Sequence, residues 1–438
     1  MKSGVFFTAL TMGLLSIGQL QAQVLYNAGA QITVTGGAVV YVEGAAENAS
    51  GTYSNAGYTT INGYFRNGGT ATGGGAATGV YYVTGDWENN DLFTADQSEV
   101  SLTGANQNIT GTQPTTFYNL TLNTPGSVKT QTLDATVLHL DSINSCESAT
   151  GNFNLYVLNT DTGAIIRNTG FVSSTGAGRL FRSTKSTSTY LFPTGWDNSG
   201  TVIYRPVEFS PSVPDSQAFS VRFAYENPTS DGYDTATKAS IITQVNGQYY
   251  HLLKQYNNTA SAALSIYYDP AVDGSWNSMA RWQVVPQWQN LDSAGDVMPL
   301  ASNGTPPMRM MKSDWTDNGN EPHALINWKE VNFVFPNVFA PNGSDQVNNN
   351  TFHIINENGL VTVQEMRIYD RWGELVYDGN RDGDTRVIPT AGAAPTYCWD
   401  GKYNGKLQPM GNYVYTASVK VNETGVVKVV SGNLALLW

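Results

Sequence analysis

Between positions 24 and 200 the apolar residues come only in pieces of two to four: Ile32-Thr-Val34, Val39-Val-Tyr-Val42, Thr60-Ile61, Val80-Tyr-Tyr-Val83, Val100-Ser-Leu102, Asn119-Leu-Thr-Leu122, Val137-Leu-His-Leu140 and Leu155-Tyr-Val-Leu158. Gly, Asn and Asp fill the gaps. A strand that short cannot bury a face alone, whereas stacking successive turns of chain buries a continuous core. The pattern predicts a β-solenoid or a loosely repetitive β region over residues 23–205, and because the repeat is imperfect a β-sandwich stays open.

Composition extends the all-β expectation to the whole chain. Gly reaches 44 of 438 residues and charged residues only 13%, a mixture that favours short strands between turns. No helical periodicity follows residue 22. A chain this long should hold two to four domains. Over residues 206–330, opened by the Pro-marked "FSPSVPDSQ", alternation is clear at Phe219–Phe223, Tyr249–Leu253, Ala263–Tyr267 and Arg281–Val285, which predicts an antiparallel β-sandwich. Over residues 331–438 it is strict: Tyr413, Tyr415, Ala417, Val419 and Val421 share one face, and Asn422-Glu-Thr-Gly425 turns the chain into a hairpin. An immunoglobulin-like β-sandwich is expected there.

Several function classes are disfavoured. Residues 1–22 read as a secretory signal, with Lys2, an apolar run from Val5 to Ile17, and cleavage after Ala22. The run is too short to span a bilayer, and no other segment approaches the roughly 20 apolar residues required. The chain is expected to be exported, without a transmembrane segment. The balance of 23 basic and 35 acidic residues gives −12, and no two Lys or Arg are adjacent, so nucleic acid is not an expected partner. Cys146 and Cys398 are the only cysteines; a disulfide and free thiols both stay open. The four His, at 139, 251, 323 and 353, fall in no catalytic or metal-binding motif, and neither enzyme activity, a metal nor a cofactor is expected. Asp317-Asn-Gly-Asn-Glu321 and Asp382-Gly-Asp384 read as solvated acidic turns sooner than as calcium loops. Trp276, Trp282 and Trp288, six apart, suit either the core or a platform for sugar rings.

The residues that say most lie near the end. Met366 to Gly379, "MRIYDRWGELVYDG", places a tryptophan in a turn between two strands. Taken in order, Phe339-Ala-Pro-Asn-Gly343, Ile368-Tyr-Asp-Arg-Trp-Gly-Glu-Leu-Val-Tyr377, Trp399-Asp-Gly401 with Gly405, and Pro409-Met-Gly-Asn-Tyr413 resemble the gliding-motility-associated carboxy-terminal domain, the type B sorting signal of the Bacteroidota type IX secretion system. The resemblance covers about a quarter of the chain. It implies that Pro341, Asn342, Gly343, Arg371, Trp372, Gly373, Glu374, Trp399, Asp400, Gly401, Gly411 and Tyr413 form the sorting-domain motif. It also implies that the partners are the secretion machinery and an outer-membrane partner protein. Where the family continues with an acidic run, this chain has Ser344-Asp-Gln-Val-Asn-Asn-Asn350, too few carboxylates for a hard cation.

In the turn itself, Gly373 can take a positive φ, and Trp372 is expected first to cap the small core and second to face the export machinery. Asp400 is expected to accept backbone N–H groups in a turn. Asp141-Ser-Ile143, Asp234-Thr-Ala236 and Asp292-Ser-Ala294 resemble the O-glycosylation sequon of this lineage. The expected function is a non-enzymatic secreted or cell-surface protein of structural or adhesive role, linked to gliding motility. The alternatives are a carbohydrate-binding protein that meets surface polysaccharide through the Trp-rich middle region, and behind it a glycan-active enzyme.

Overall fold

A computed structural model describes residues 24–76, 78–283, 287–299, 303–319, 321–329, 331–341, 350–356, 360–382, 397–422 and 425–437. Ala22, Asn342 and Gly343 lie outside them. Apart from two four-residue α-helices and two short 3-10 turns, every element among the described residues is a β-strand. The chain divides into two compact units, Met1–Ser148 and Ala149–Trp438.

The first unit is a β-solenoid. Ala46 pairs in parallel with Phe65, Phe65 with Trp87, Trp87 with Ile109, and Ile109 with Gln131. Those steps of 19, 22, 22 and 22 residues are one coil each. A second parallel ladder runs through Val39–Val42, Tyr58–Ile61, Val80–Val83, Glu99–Leu102, Thr115–Leu122 and Ala135–Asn144. Because coils stack in register, equivalent side chains meet. Inside, Phe65 lies 4.8 Å from Trp87, and Trp87 lies 5.0 Å from Phe93 and 5.7 Å from Phe117, a stack worth more than its buried area alone.

The polar residues obey the same rule. Asn27 Nδ2 donates to Asn48 Oδ1 at 2.7 Å, Asn48 Nδ2 to Asn67 Oδ1 at 2.9 Å, and Asn67 Nδ2 to Asn89 Oδ1 at 3.0 Å. Each rung satisfies the next, which is the condition under which buried amides are tolerated. The first rung is closed by its own chain: Ala30 N donates to Asn27 Oδ1 at 2.9 Å, across an irregularity in the strand pairing. Farther along, the buried Lys129 Nζ donates to Gly104 O, Ala105 O and Gln107 Oε1 at 2.6–2.7 Å. Burial lowers its pKa to about 8.

In the second unit parallel pairing gives way to antiparallel. Leu155–Val157 pairs in parallel with Leu180–Thr184, which then pairs antiparallel with Gln217–Ala224; Tyr250–Tyr256, Pro322–Trp328 and Ser278–Trp282 continue the sheet. Another sheet holds Tyr190–Phe192, Val207–Pro211, Ala262–Tyr268, Met308–Trp315 and Ala294–Val297. Phe209 of the second sheet stacks on Phe219 of the first at 4.4 Å, with Trp315 beside both. Several of the buried polar groups here are paired. Arg205 meets Asp273 through two 2.6 Å contacts, and Tyr249 Oη donates to Asp273 at 3.0 Å. Trp315 Nε1 donates to His323 Nε2 at 2.9 Å, while His323 Nδ1 lies 2.7 Å from Glu321 O. Burial holds His323 neutral, its pKa lowered to about 3, and lowers that of His251 to about 4.

The carboxy-terminal sheet orders Val338–Phe339, Val427–Leu436, Gly411–Val421, Val361–Tyr369 and Leu375–Asp378. The alternation read from sequence decides its faces. Tyr413, Tyr415, Ala417, Val419 and Val421 are all buried, with Phe339, Phe352, Met366, Ile368 and Trp399. Both cysteines are buried, and neither is in a disulfide.

Candidate functional site

The turn Asp370–Glu374 is held by its own backbone and one carboxylate. Asp370 Oδ1 accepts from Trp372 N and Glu374 N, both at 2.8 Å. Asp370 N donates to Glu374 O at 2.9 Å, and Gly373 N to Asp370 O at 3.0 Å. Gly373 sits at φ +83°, a conformation that other residues adopt only under strain. Nothing in this set of bonds uses the indole. Trp372 is 82% exposed, so the expectation that it caps the core is corrected: Phe339, Phe352 and Trp399 already fill that core, and the turn projects away from it. The Arg371 guanidinium lies 5.6 Å from the Trp372 ring centre, within cation–π range.

Facing this turn is the loop that precedes the Gly411–Val421 strand. Together they line a cleft of about 130 Å³ formed by Asp370, Arg371, Trp372, Gln408, Pro409, Met410, Gly411, Asn412 and Tyr413. Met410 is also exposed. Tyr413, buried on the core side, donates its Oη to Pro409 O at 2.7 Å, which fixes the loop against the strand. Two motif stretches some forty residues apart thus meet at one place. Arg371, Trp372, Gly373, Gly411 and Tyr413 sit in or beside the cleft, with Glu374 closing the turn. Asp370, Gln408, Met410 and Asn412 were not singled out from sequence; for Asp370 the signal was an Asp two residues before Trp-Gly, the spacing of a side chain that caps its own turn.

Trp399, Asp400, Gly401 and Pro341 are support. Trp399 is fully buried, donates Nε1 to Lys402 O at 2.9 Å, and exchanges backbone bonds with Phe352. Asp400 Oδ1 accepts from Lys402 N at 3.0 Å. Gly401 sits at φ +79°, strained for other residues, and a Cβ there would lie 3.2 Å from Pro341 Cγ and 3.3 Å from Leu436 Cδ1, so both side chains would have to give way.

The three tryptophans of the middle region do not form one exposed platform. Trp288 is fully buried, its Nε1 3.3 Å from Tyr233 O and its ring edge-on to Trp282 at 5.5 Å. Stacking of a sugar on Trp288 is therefore corrected, since protein occupies its surroundings. Trp282 and Trp276 are half-exposed, and Trp276 donates to Asp273 O. The acidic turns are otherwise engaged. Asp317 accepts from Gln255 N and Gly319 N, Glu321 pairs with Arg179 and Lys254, and Asp382 pairs with Arg381. Among the described residues no group of three or more metal-ligating side chains converges. Of the sequon hydroxyl residues, Ser142 and Ser293 are buried and Thr235 is half-exposed.

The carboxy-terminal region thus presents a surface cleft with an exposed indole beside a guanidinium. Residues 333–432 match the family model of the CHU_C type IX secretion signal domain. The chain thus carries a carboxy-terminal sorting domain, which supports export by the type IX secretion system and implies contact with that machinery. Export of this kind points to a secreted or surface location. No curated protein and no solved structure matches the chain. No helix among the described residues is long and apolar enough to cross a membrane.

Proposed function

We propose that the chain is a non-enzymatic cargo of the type IX system that serves a structural or adhesive role at the cell surface, in the setting of gliding motility. Its carboxy-terminal unit is the address, read through the Trp372 cleft by an outer-membrane partner protein. The solenoid and the antiparallel middle region are the delivered part. We take residues 206–330 as a β-sandwich module and residues 331–438 as an immunoglobulin-like one. The observation that carries the reading is the position of Trp372: the turn is complete without its side chain, yet the largest apolar side chain in it is left in water. An exposed Trp beside Arg371 and the exposed Met410 has the composition in which interface hot spots are enriched.

Deletion of residues 331–438 should leave the remainder in the periplasm, and fusion of that unit to an unrelated secreted protein should bring it to the surface. Cell fractionation with surface proteolysis reads both. Normal surface display of the truncated chain would sink the proposal.

A further inference from the structure

The carboxy-terminal sheet ends in an open ladder. Val421 N donates to Val426 O at 2.8 Å, and the strands that follow this turn run antiparallel with Lys420 opposite Val427 and Gly411 opposite Leu436, without a bulge. Antiparallel partners alternate between bonded and non-bonded pairs. Even-numbered residues of the Val427–Leu436 strand therefore turn their N–H and C=O groups toward the Gly411–Val421 strand, and odd-numbered ones turn them away. At one end the outward groups are used: Ala435 N donates to Asn337 O at 2.8 Å and Leu437 N to Phe339 O at 3.0 Å, in parallel pairing with Val338–Phe339. There the edge already holds a strand. Pro336 has no N–H to continue the ladder, and Phe333–Val334 pairs with Ile355–Asn356 instead. Val427, Val429, Ser431 and Asn433 are left presenting four donors and four acceptors sideways, with no pairing strand among the described residues.

Natural edges are usually blunted by charged side chains, prolines, bulges or a covering loop, and of these the stretch carries one charge, Lys428. This one has neither proline nor bulge over Val427–Asn433, and its side chains stay in water: Val429 is 78% exposed and Val427 47%. We propose that the edge is a strand-addition site. It takes an extended segment of a partner protein on the export route, with apolar residues beside Val427 and Val429 and a carboxylate facing Lys420. The proposal rests on the export reading above and gives it a second contact, separate from the Trp372 cleft. Backbone pairing supplies affinity in such complexes and alternate side chains supply selectivity. Lys420 supplies the charge preference: it lies across from Val427 on the outer face and makes no ion pair among the described residues.

Proline separates the edge from the fold. Ser431→Pro removes an outward N–H and leaves the bonds to the Gly411–Val421 strand in place, whereas Val430→Pro breaks that ladder. The full-length chain carrying Ser431→Pro should melt within a few degrees of the unaltered chain, and the fraction exported should fall at least tenfold. Should Ser431→Pro unfold, Lys420→Glu keeps the backbone intact and is expected to lower export severalfold. Wild-type export by a folded Ser431→Pro chain, or by Lys420→Glu, overturns strand addition. A dimer of the purified chain that Ser431→Pro dissolves also overturns it, and assigns the edge to a second copy. The 331–438 deletion distinguishes the two readings. If the deletion blocks export while Ser431→Pro passes, only the edge proposal falls; if the deletion is exported normally, both fall.

Discussion

Trp87 and Trp372 are the same residue under opposite constraints. In the solenoid each coil must accept the coil above and below, so Trp87 is fully buried among Phe65, Tyr81, Phe93 and Phe117. The asparagines are closed by the same logic, rung on rung. In the carboxy-terminal unit the core is filled by Phe339, Phe352, Trp399 and the inward face of the Gly411–Val421 strand, and Trp372 stands outside it on a turn that needs no indole. One region spends its aromatics on internal closure. The other leaves an indole, a guanidinium and a strand edge exposed, and it is the region that matches the sorting domain.

The comparison can be broken at several points. The largest expected effect is at Trp87, where truncation to alanine opens a cavity in a register-locked stack and should cost about 3–5 kcal/mol. Calorimetry of the full chain should show the transition of the solenoid unit displaced to lower temperature. An undisturbed transition would mean that the stack is not what holds the coils together. Next is Asn67→Ala, which takes the partner from Asn89 Oδ1 and from one of the two Asn48 Nδ2 hydrogens, the other keeping Thr70 O; a buried polar group left unsatisfied costs about 1–3 kcal/mol. The same replacement at an exposed asparagine such as Asn332 should be close to neutral, and equal effects at both sites would remove the ladder from the account.

A third test uses acid. His251 and His323 have folded-state pKa values lowered to about 4 and about 3 from 6.5, first by burial. Below about pH 6.5 the unfolded chain takes up protons that the folded chain refuses, so their contribution is complete above that pH and is lost progressively as pH falls toward 4 and below. The melting temperature of the second unit should fall over that range. Replacing His323 with Gln should flatten the part of the slope that it causes.

The sequence made the regular parts legible. Alternation from Tyr413 to Val421 identified the buried face residue by residue, and recurring short apolar pieces identified the solenoid. What it hid were relations between coils. Asn27, Asn48, Asn67 and Asn89 recur at 21, 19 and 22 residues, a spacing visible in the chain but meaningful only once coil length is known. Trp372 was misjudged because size and apolarity argue for burial; its exposure follows from the Asp370-capped turn, which leaves the ring no inward path. The cleft was half legible, since both its stretches were noticed but not their meeting.

The most direct test of the central claim joins stability and export in one variant. In Trp372→Ala, loss of an exposed side chain should change stability by no more than about 0.5 kcal/mol, so the melting curve of the full chain should overlay that of the unaltered protein while surface display is lost, because the ring is the main apolar contact offered to the partner. A Trp372→Ala chain that melts normally and still reaches the surface in full would contradict the account.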